Sequence, residues 1–471
     1  MCQRIMNSLI DKLKKYAHLN TTPLHMPGGK RNRELLNFPD PFMTDITEIE
    51  GFDNLHNAHG ILKDEMERAA RLYGADESLI CVNGSTSALL SAVCGAFSKG
   101  DKVLVARNCH ICIINALIIR ELTPLFLYPE IDENGIYKAL SLSDVKKAVT
   151  ENPEVKGLIM TSPTYEGIIS DVESIADYLH ANDKLLIVDE AHGAHLYFSE
   201  YFPEGAVTQG ADLVVNSLHK TLPALTQTAL LHINGSLVNK DRVRAFWNIN
   251  QTTSPSYVLM GSISACFDLL NSQKGQELIN EYIGNLKRLR EEFNTQENIK
   301  LFDSNDPGKI VLTAEDGRKL YDILLNKYDI QLEMSAKYYV VAMTSPADIV
   351  LFYDRFISAC KEADNLLDKK RLSKSEARSE FTSNEAQIRH EQKLTPYAAF
   401  EKRFTVGELI DLSRAEGCIC LENVIVYPPG TPVLVAGEVI QKGDIRKINK
   451  VIEDGGDVIG VRQGKVMCIR A

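Results

Sequence analysis

Between about residues 60 and 235 the chain alternates helical periodicity with short, β-branched apolar runs, and that alternation admits few folds. KDEMERAARLYG (63–74) reads as a helix and Leu79–Val82 as a short strand. STSALLSAVCGAFSKG then opens a second helix that closes on Gly100. KVLVA (102–106), PLFLY (124–128), GLIMT (157–161), KLLIVD (184–189), LVVN (213–216) and ALLHI (229–233) follow, each bounded by turn residues. Apolar runs separated by helical stretches predict a largely parallel sheet, buried on both faces and covered by helices. Ligands of such sheets bind beyond the carboxyl ends of the strands. That rule singles out Thr161, Asp189 and the segment after Asn216.

At 471 residues the chain is too long for one small domain, and its 44% hydrophobic content is enough to bury a sizeable core. We expect an N-terminal arm (1–40), a large sheet domain (41–250), a smaller α/β domain (251–365) and a charged connector (366–392). A C-terminal domain (393–471) would complete the chain. The net charge of -11 argues against nucleic acid as a partner and suits a cationic substrate. The ten cysteines are scattered, several within apolar stretches (Cys94, Cys266, Cys360), as free thiols in a reducing compartment would be. MCQRIMNSLIDKLKKYA is amphipathic, without a signal peptide's apolar centre, and no run approaches eighteen apolar residues. A cytoplasmic protein without membrane contact is expected.

Chemistry concentrates in LLIVDEAHGAH (185–195) and ADLVVNSLHKTLPALTQ (211–227). Alone, Asp189 reads as a helix N-cap and Lys220 as a surface lysine. Together, Asp189 after one predicted strand, and Ser217, His219 and Lys220 after the next, suit pyridoxal 5'-phosphate. That cofactor needs a lysine amine whose usual pKa of ~10.4 is lowered by burial or cationic neighbours. It needs a carboxylate to keep its ring nitrogen protonated, and an anion site for its phosphate. Lys220 would form the Schiff base and Asp189 would face the ring nitrogen. VNGSTSALL (82–90) opens a helix directly after a strand, so its backbone N–H groups and the hydroxyls of Ser85, Thr86 and Ser87 could converge on a phosphate. The same run is also ordinary helix capping. His110, after the strand at 102–106, could stack on the ring or be a core histidine. The lone Cys109/Cys112 pair and the HxxH pairs at His56/His59 and His192/His195 lack metal-site spacing, so no metal is expected. Asp189-Glu190-Ala191-His192 also spells a helicase box, but the GxxxxGK[ST] loop which that chemistry requires is missing from the sequence.

These segments resemble the Orn/Lys/Arg decarboxylases, in their shorter bacterial arginine decarboxylase branch. TPLHMPGGKRN (22–32), DITEIEGFDNLHNAHGIL (45–62), NGSTS, RNCH, TSPTYEG (161–167), VDEAHGAH, SLHKTLPALTQ and YPPGTPVLVAGE (427–438) occur in that family's order. The resemblance implies an α/β, aspartate aminotransferase-like (fold-type I) large domain, a smaller α/β domain and a C-terminal α+β domain. It implies that Ser85, Thr86, Ser217 and His219 hold the phosphate, that His110 stacks on the ring and that His192 lies beside the cofactor. Thr164 and Glu438 would bind substrate, Glu438 at its distal cationic end. Gly29 stands where the family usually has histidine, which leaves that histidine's role without a counterpart. Only about twenty residues precede the first motif, so the N-terminal wing of the large relatives is not expected. A homodimer or higher homo-oligomer is implied, and the implied reaction is decarboxylation of a basic amino acid. Arginine leads; lysine and ornithine stay open, as do an aminotransferase or a non-catalytic binding protein of the same fold.

Overall fold

The computed structural model describes residues 8–293, 296–367, 388–427, 430–453 and 456–470. Its centre is a seven-stranded sheet: β1 (Glu77–Cys81), β2 (Lys102–Ala106), β3 (Thr123–Leu127), β4 (Gly157–Thr161), β5 (Leu185–Asp189), β6 (Leu213–Ser217) and β7 (Ala229–Ile233). The spatial order is β1-β7-β6-β5-β4-β2-β3, and only β7 runs antiparallel to its neighbours. The largely parallel sheet expected from the sequence is therefore present.

Side-chain alternation explains why these runs form strands rather than helices. Ile187 enters one core cluster, with Leu89, Val93 and Ile113 from the helices Gly84–Ala96 (α1) and Ile111–Arg120 (α2). Its neighbours Leu186 and Val188 enter the opposite cluster, with Val145, Ile175 and Leu179 from helices 142–151 and 172–180. A period of two thus buries Leu186, Ile187 and Val188 against one helical layer or the other. Full burial of each such side chain contributes about 1.5–3 kcal/mol. Replacing either Leu186 or Val188 by a charged residue would leave an unpaired charge between sheet and helix.

Beyond the sheet, strands Lys300–Leu301, Lys309–Thr313, Met334–Ser335 and Tyr339–Met343 form an antiparallel sheet. Helix Gly317–Tyr328 packs on it. The N-terminal segment is tied to this region, because Thr22–Leu24 pairs in parallel with Ile330–Leu332. The C-terminal residues form two small antiparallel sheets around their own apolar cluster, which includes Leu412, Val424, Leu434 and Ile448. The connector expected at 366–392 falls largely outside the described residues. Nine cysteines among the described residues are buried and unpaired, and no helix among those residues is long and apolar enough to cross a membrane.

Candidate active site

Parallel register brings Thr161, Asp189 and Val215 level at one edge of the sheet. A cavity of about 1200 Å³ opens there, lined by Ser85, Thr86, His110, Asp189, His192 and Lys220 among others. Asp189 ends β5, is buried, and accepts a hydrogen bond from the Ala191 N–H at 3.2 Å. Lys220 lies in the single helical turn Leu218–Thr221 that follows β6. Gly28 clamps that turn from outside, its N–H donating to the His219 carbonyl at 2.7 Å. A Cβ at Gly28 would lie 2.6 Å from the Leu222 carbonyl oxygen, so only glycine fits this close approach. Gly29, by contrast, has 3.8 Å to its nearest neighbour and is not sterically required.

His192 sits between two lysines. Its Nε2 is 3.1 Å from Lys220 Nζ and its Nδ1 is 3.2 Å from Lys309 Nζ. An ammonium only donates, so a charged Lys309 makes Nδ1 the acceptor and leaves the ring proton on Nε2. Nε2–H then donates to Lys220, which can accept only as a neutral amine. Burial is the largest electrostatic effect on all three groups. Burial, and then Lys220 and Lys309, hold His192 well below the usual histidine range. Burial lowers the Lys220 pKa, opposed chiefly by Asp189. Burial brings Lys309 down to about 8, with Asp306 opposing and Lys220 assisting, so it stays largely an ammonium at neutral pH. Lys309 opens a strand far along the chain, and nothing in KIVLT sets it apart from a lysine at a strand end. Sequence reasoning missed it.

The other expected residues divide into three groups. Ser85, Thr86, His110, Thr164 and His219 line the cavity with Lys220, Asp189 and His192. α1 begins beside them, and its N-cap Asn83 makes no side-chain capping bond. The Gly84 N–H donates to the Gln227 carbonyl at 2.9 Å, and the N–H groups that follow it in the first turn, which intrahelical bonds cannot reach, are left for an anion. His110 caps α2, its Nδ1 accepting from the Cys112 N–H at 3.3 Å, and its pKa is lowered by burial. His219 is fixed through Nδ1 to the Thr228 carbonyl at 3.0 Å. Asn108 Oδ1 and Thr161 Oγ1, from residues that also line the cavity, have no hydrogen-bond partner among the described residues. Open helical donors and unpartnered polar atoms fit a phosphorylated polar cofactor.

Ser217 stands one layer back, its hydroxyl donating to Ser85 Oγ at 2.8 Å. Ser87, expected to bind the cofactor, turns away: its hydroxyl donates to the Gly84 carbonyl at 2.9 Å and accepts from Gln251 at 3.1 Å. Three residues into a helix, its side chain faces the helix behind α1 rather than the mouth of the first turn. Glu438, expected at the substrate's distal end, is also placed differently within this chain. It is fully buried in a two-bond pair with Arg107 (Nε–Oε1 3.1 Å, Nη2–Oε2 2.9 Å), and the Val435 N–H adds a bond at 2.7 Å. Burial works against the Arg107 charge, and Glu438 more than offsets it. A carboxylate so occupied is not available to a ligand in the cavity. Glu190 of the helicase-like box is structural too, accepting from Ala206 N–H at 2.7 Å and from Asn216 at 3.0 Å.

An α/β sheet with a half-buried lysine and a buried carboxylate at its carboxyl edge matches the fold-type I class of pyridoxal-phosphate enzymes, and solved structures of that class share this fold. Residues 7–342 match the Orn/Lys/Arg decarboxylase major domain and residues 379–454 the C-terminal domain of the same enzymes. The chain belongs to the Orn/Lys/Arg decarboxylase family. It is 32% identical to an arginine decarboxylase of Bacillus subtilis (strain 168), covering 97% of this chain and 96% of that one. It is 29% identical to an arginine decarboxylase of Bacillus anthracis, covering 98% and 96%. The solved lysine decarboxylase A from Pseudomonas aeruginosa superposes with a TM-score of 0.78 at 20% identity, covering 98% of this chain and 80% of that one.

Proposed function

We propose that this enzyme decarboxylates L-arginine to agmatine and carbon dioxide, with pyridoxal 5'-phosphate held at Lys220, in the cytoplasm and as a homodimer. One observation carries the reading: Lys220, half-buried and 3.1 Å from His192 Nε2, shares a cavity with Asp189 and the N-terminus of α1. Arginine is favoured over lysine and ornithine by the full-length likeness to bacterial arginine decarboxylases. The exposed Phe42 and Met43 of the N-terminal region suit a subunit contact.

When bound, the cofactor supplies the electron sink that accepts the pair released as the Cα–carboxylate bond breaks. The chain supplies the rest. Ser85, Thr86 and the first turn of α1 would hold the phosphate, with Ser217 orienting the Ser85 hydroxyl. Asp189 would keep the ring nitrogen protonated, and His110 would lie against the ring. Lys220 is the amine that would hold the cofactor and later release product, and burial, by lowering its proton affinity, favours the nucleophilic form of that amine. His192 and Lys309 fix which way the proton on that amine's neighbour points. Thr164 lines the substrate side.

Steady-state rates on arginine, lysine and ornithine test the substrate assignment. The highest kcat/KM is expected for arginine; a highest value for lysine or ornithine would overturn it.

A further inference from the structure

With Glu438 committed to Arg107, the cavity needs another acid if it is to hold a cationic side chain. Four acidic residues line it: Glu166, Asp189, Glu315 and Asp316. Glu315 and Asp316 are exposed, and Asp316 caps the helix Gly317–Tyr328. Asp189 lies at the strand edge beside Lys220, in the position proposed for the cofactor nitrogen. Glu166 alone remains both buried and uncommitted to that role.

Its loop holds it in place. The Thr164 N–H donates to the Ile168 carbonyl at 2.9 Å and the Gly167 N–H to the Thr164 carbonyl at 3.0 Å, which makes a tight turn with Glu166 at its tip. Gly167 has φ +87°, and a Cβ there would meet Lys309 Cγ at 2.7 Å. The Asp306 N–H, donating to the Gly167 carbonyl at 3.0 Å, pins the turn from the second sheet.

Glu166's partners are hydroxyls rather than charges. Tyr339 Oη donates to Oε1 at 2.8 Å and Thr164 Oγ1 to Oε2 at 3.1 Å. An ionised carboxylate offers about four lone-pair sites, so each oxygen keeps room for another donor. Burial raises the pKa of Glu166, the nearby Asp132 adds further negative charge, and the bonds from Tyr339, the Glu166 N–H and Thr164 only partly offset these effects. A buried acid compensated by hydroxyls and a backbone N–H, with no cation beside it among the described residues, gains strongly from an incoming cation. Tyr137 and Tyr339 line the same part of the cavity, and aromatic walls suit a flat guanidinium.

We propose that Glu166 receives the distal cation of the substrate, with a guanidinium as its preferred partner. This rests on the basic amino acid decarboxylase reading, but a binding measurement separates the two. Isothermal titration of the pyridoxal-phosphate-loaded enzyme would compare agmatine, which carries a distal guanidinium, with n-pentylamine, which has none. The wild type is expected to bind agmatine roughly a hundredfold more tightly, the scale of a buried charge pair. Glu166→Gln, which keeps both hydroxyl bonds possible, should collapse that preference to within about threefold while leaving pentylamine affinity unchanged. Pentylamine binding reports that the variant's site is intact. If the glutamine variant does not fold, Glu166→Asp replaces it, with a loss of preference of at least about tenfold expected from the shortened reach. An agmatine preference that survives either substitution, or that the wild type lacks, overturns the proposal. Carbon dioxide release from arginine is scored separately: a wild type that prefers agmatine yet releases none leaves Glu166 as a cation site and removes the reaction assigned to it.

Discussion

The two walls of the cavity are built differently. The wall beneath the proposed cofactor comes from short segments that each follow a strand of one sheet: Gly84–Thr86, Asn108–His110, Asp189–His192 and Ser217–Lys220. The opposite wall is assembled from the turn at Glu166, from Tyr339 of the second sheet, from the helix start at Asp316 and from Pro432 and Val433 of the C-terminal region. On the first wall, each segment is placed by the strand it follows, with His192 also held by Lys309. On the second, position depends on long-range contacts such as Arg107–Glu438 and the bond from Asp306 N–H to the Gly167 carbonyl. The first wall suits chemistry that must not vary, and the second suits selection among substrates.

Substitutions on the two walls should therefore fail in different ways. On the cofactor wall, Asp189→Asn should lower kcat by about 10²–10³-fold, the scale of losing one preorganised charge at a reacting centre, with little change in unfolding midpoint. A loss that appeared only in stability would move Asp189 out of the site. On the far wall, Arg107→Met strands a buried carboxylate and should cost about 3–5 kcal/mol in denaturant unfolding. The double variant with Glu438→Gln should recover part of that cost. No recovery would mean that the pair is not the unit holding residues 432–435.

Lys309 links the walls and gives a pH signature. Its pKa falls from 10.5 in the unfolded chain to about 8 when folded, so above pH 8 the unfolded state holds the extra proton. Its charged form therefore destabilises the fold below pH 8, and that penalty fades as pH rises towards 10.5. The unfolding free energy of the wild type, taken relative to Lys309→Met, should rise across that window. A flat difference would place Lys309 in solvent and dissolve the tautomer argument for His192.

The smallest effects separate neighbouring serines. Ser85→Ala should weaken cofactor binding about tenfold, a bond to a charged phosphate being worth ~1.5–3 kcal/mol. Ser87→Ala should leave cofactor affinity unchanged and cost only about 1 kcal/mol of stability. Equal losses of affinity would bring Ser87 back into the site.

That pair also shows how far the sequence could be read. The strands and the placement of Lys220 and Asp189 were legible because periodicity and strand order act locally, and a parallel sheet has one ligand-binding edge. Ser87 was misassigned because the run Ser85-Thr86-Ser87 shows no sign of the helical rotation that turns its third hydroxyl inwards. Glu438 was misassigned because its partner, Arg107, lies more than three hundred residues earlier. Lys309 carried no visible mark, since a lysine at a strand start is common on any surface, and Glu166 lay within the TSPTYEG segment without anything to set it apart from a glutamate in an exposed turn. Their burial is a property of how the second sheet meets the first.

The central claim is that Lys220 performs decarboxylation in this cavity, and one assay tests it most directly. Purified enzyme with pyridoxal 5'-phosphate and L-arginine is followed for carbon dioxide and agmatine, beside Lys220→Ala. Equal release of both products by the wild type, and none by the variant, is the result this account predicts. Release by Lys220→Ala at the wild-type rate would contradict it.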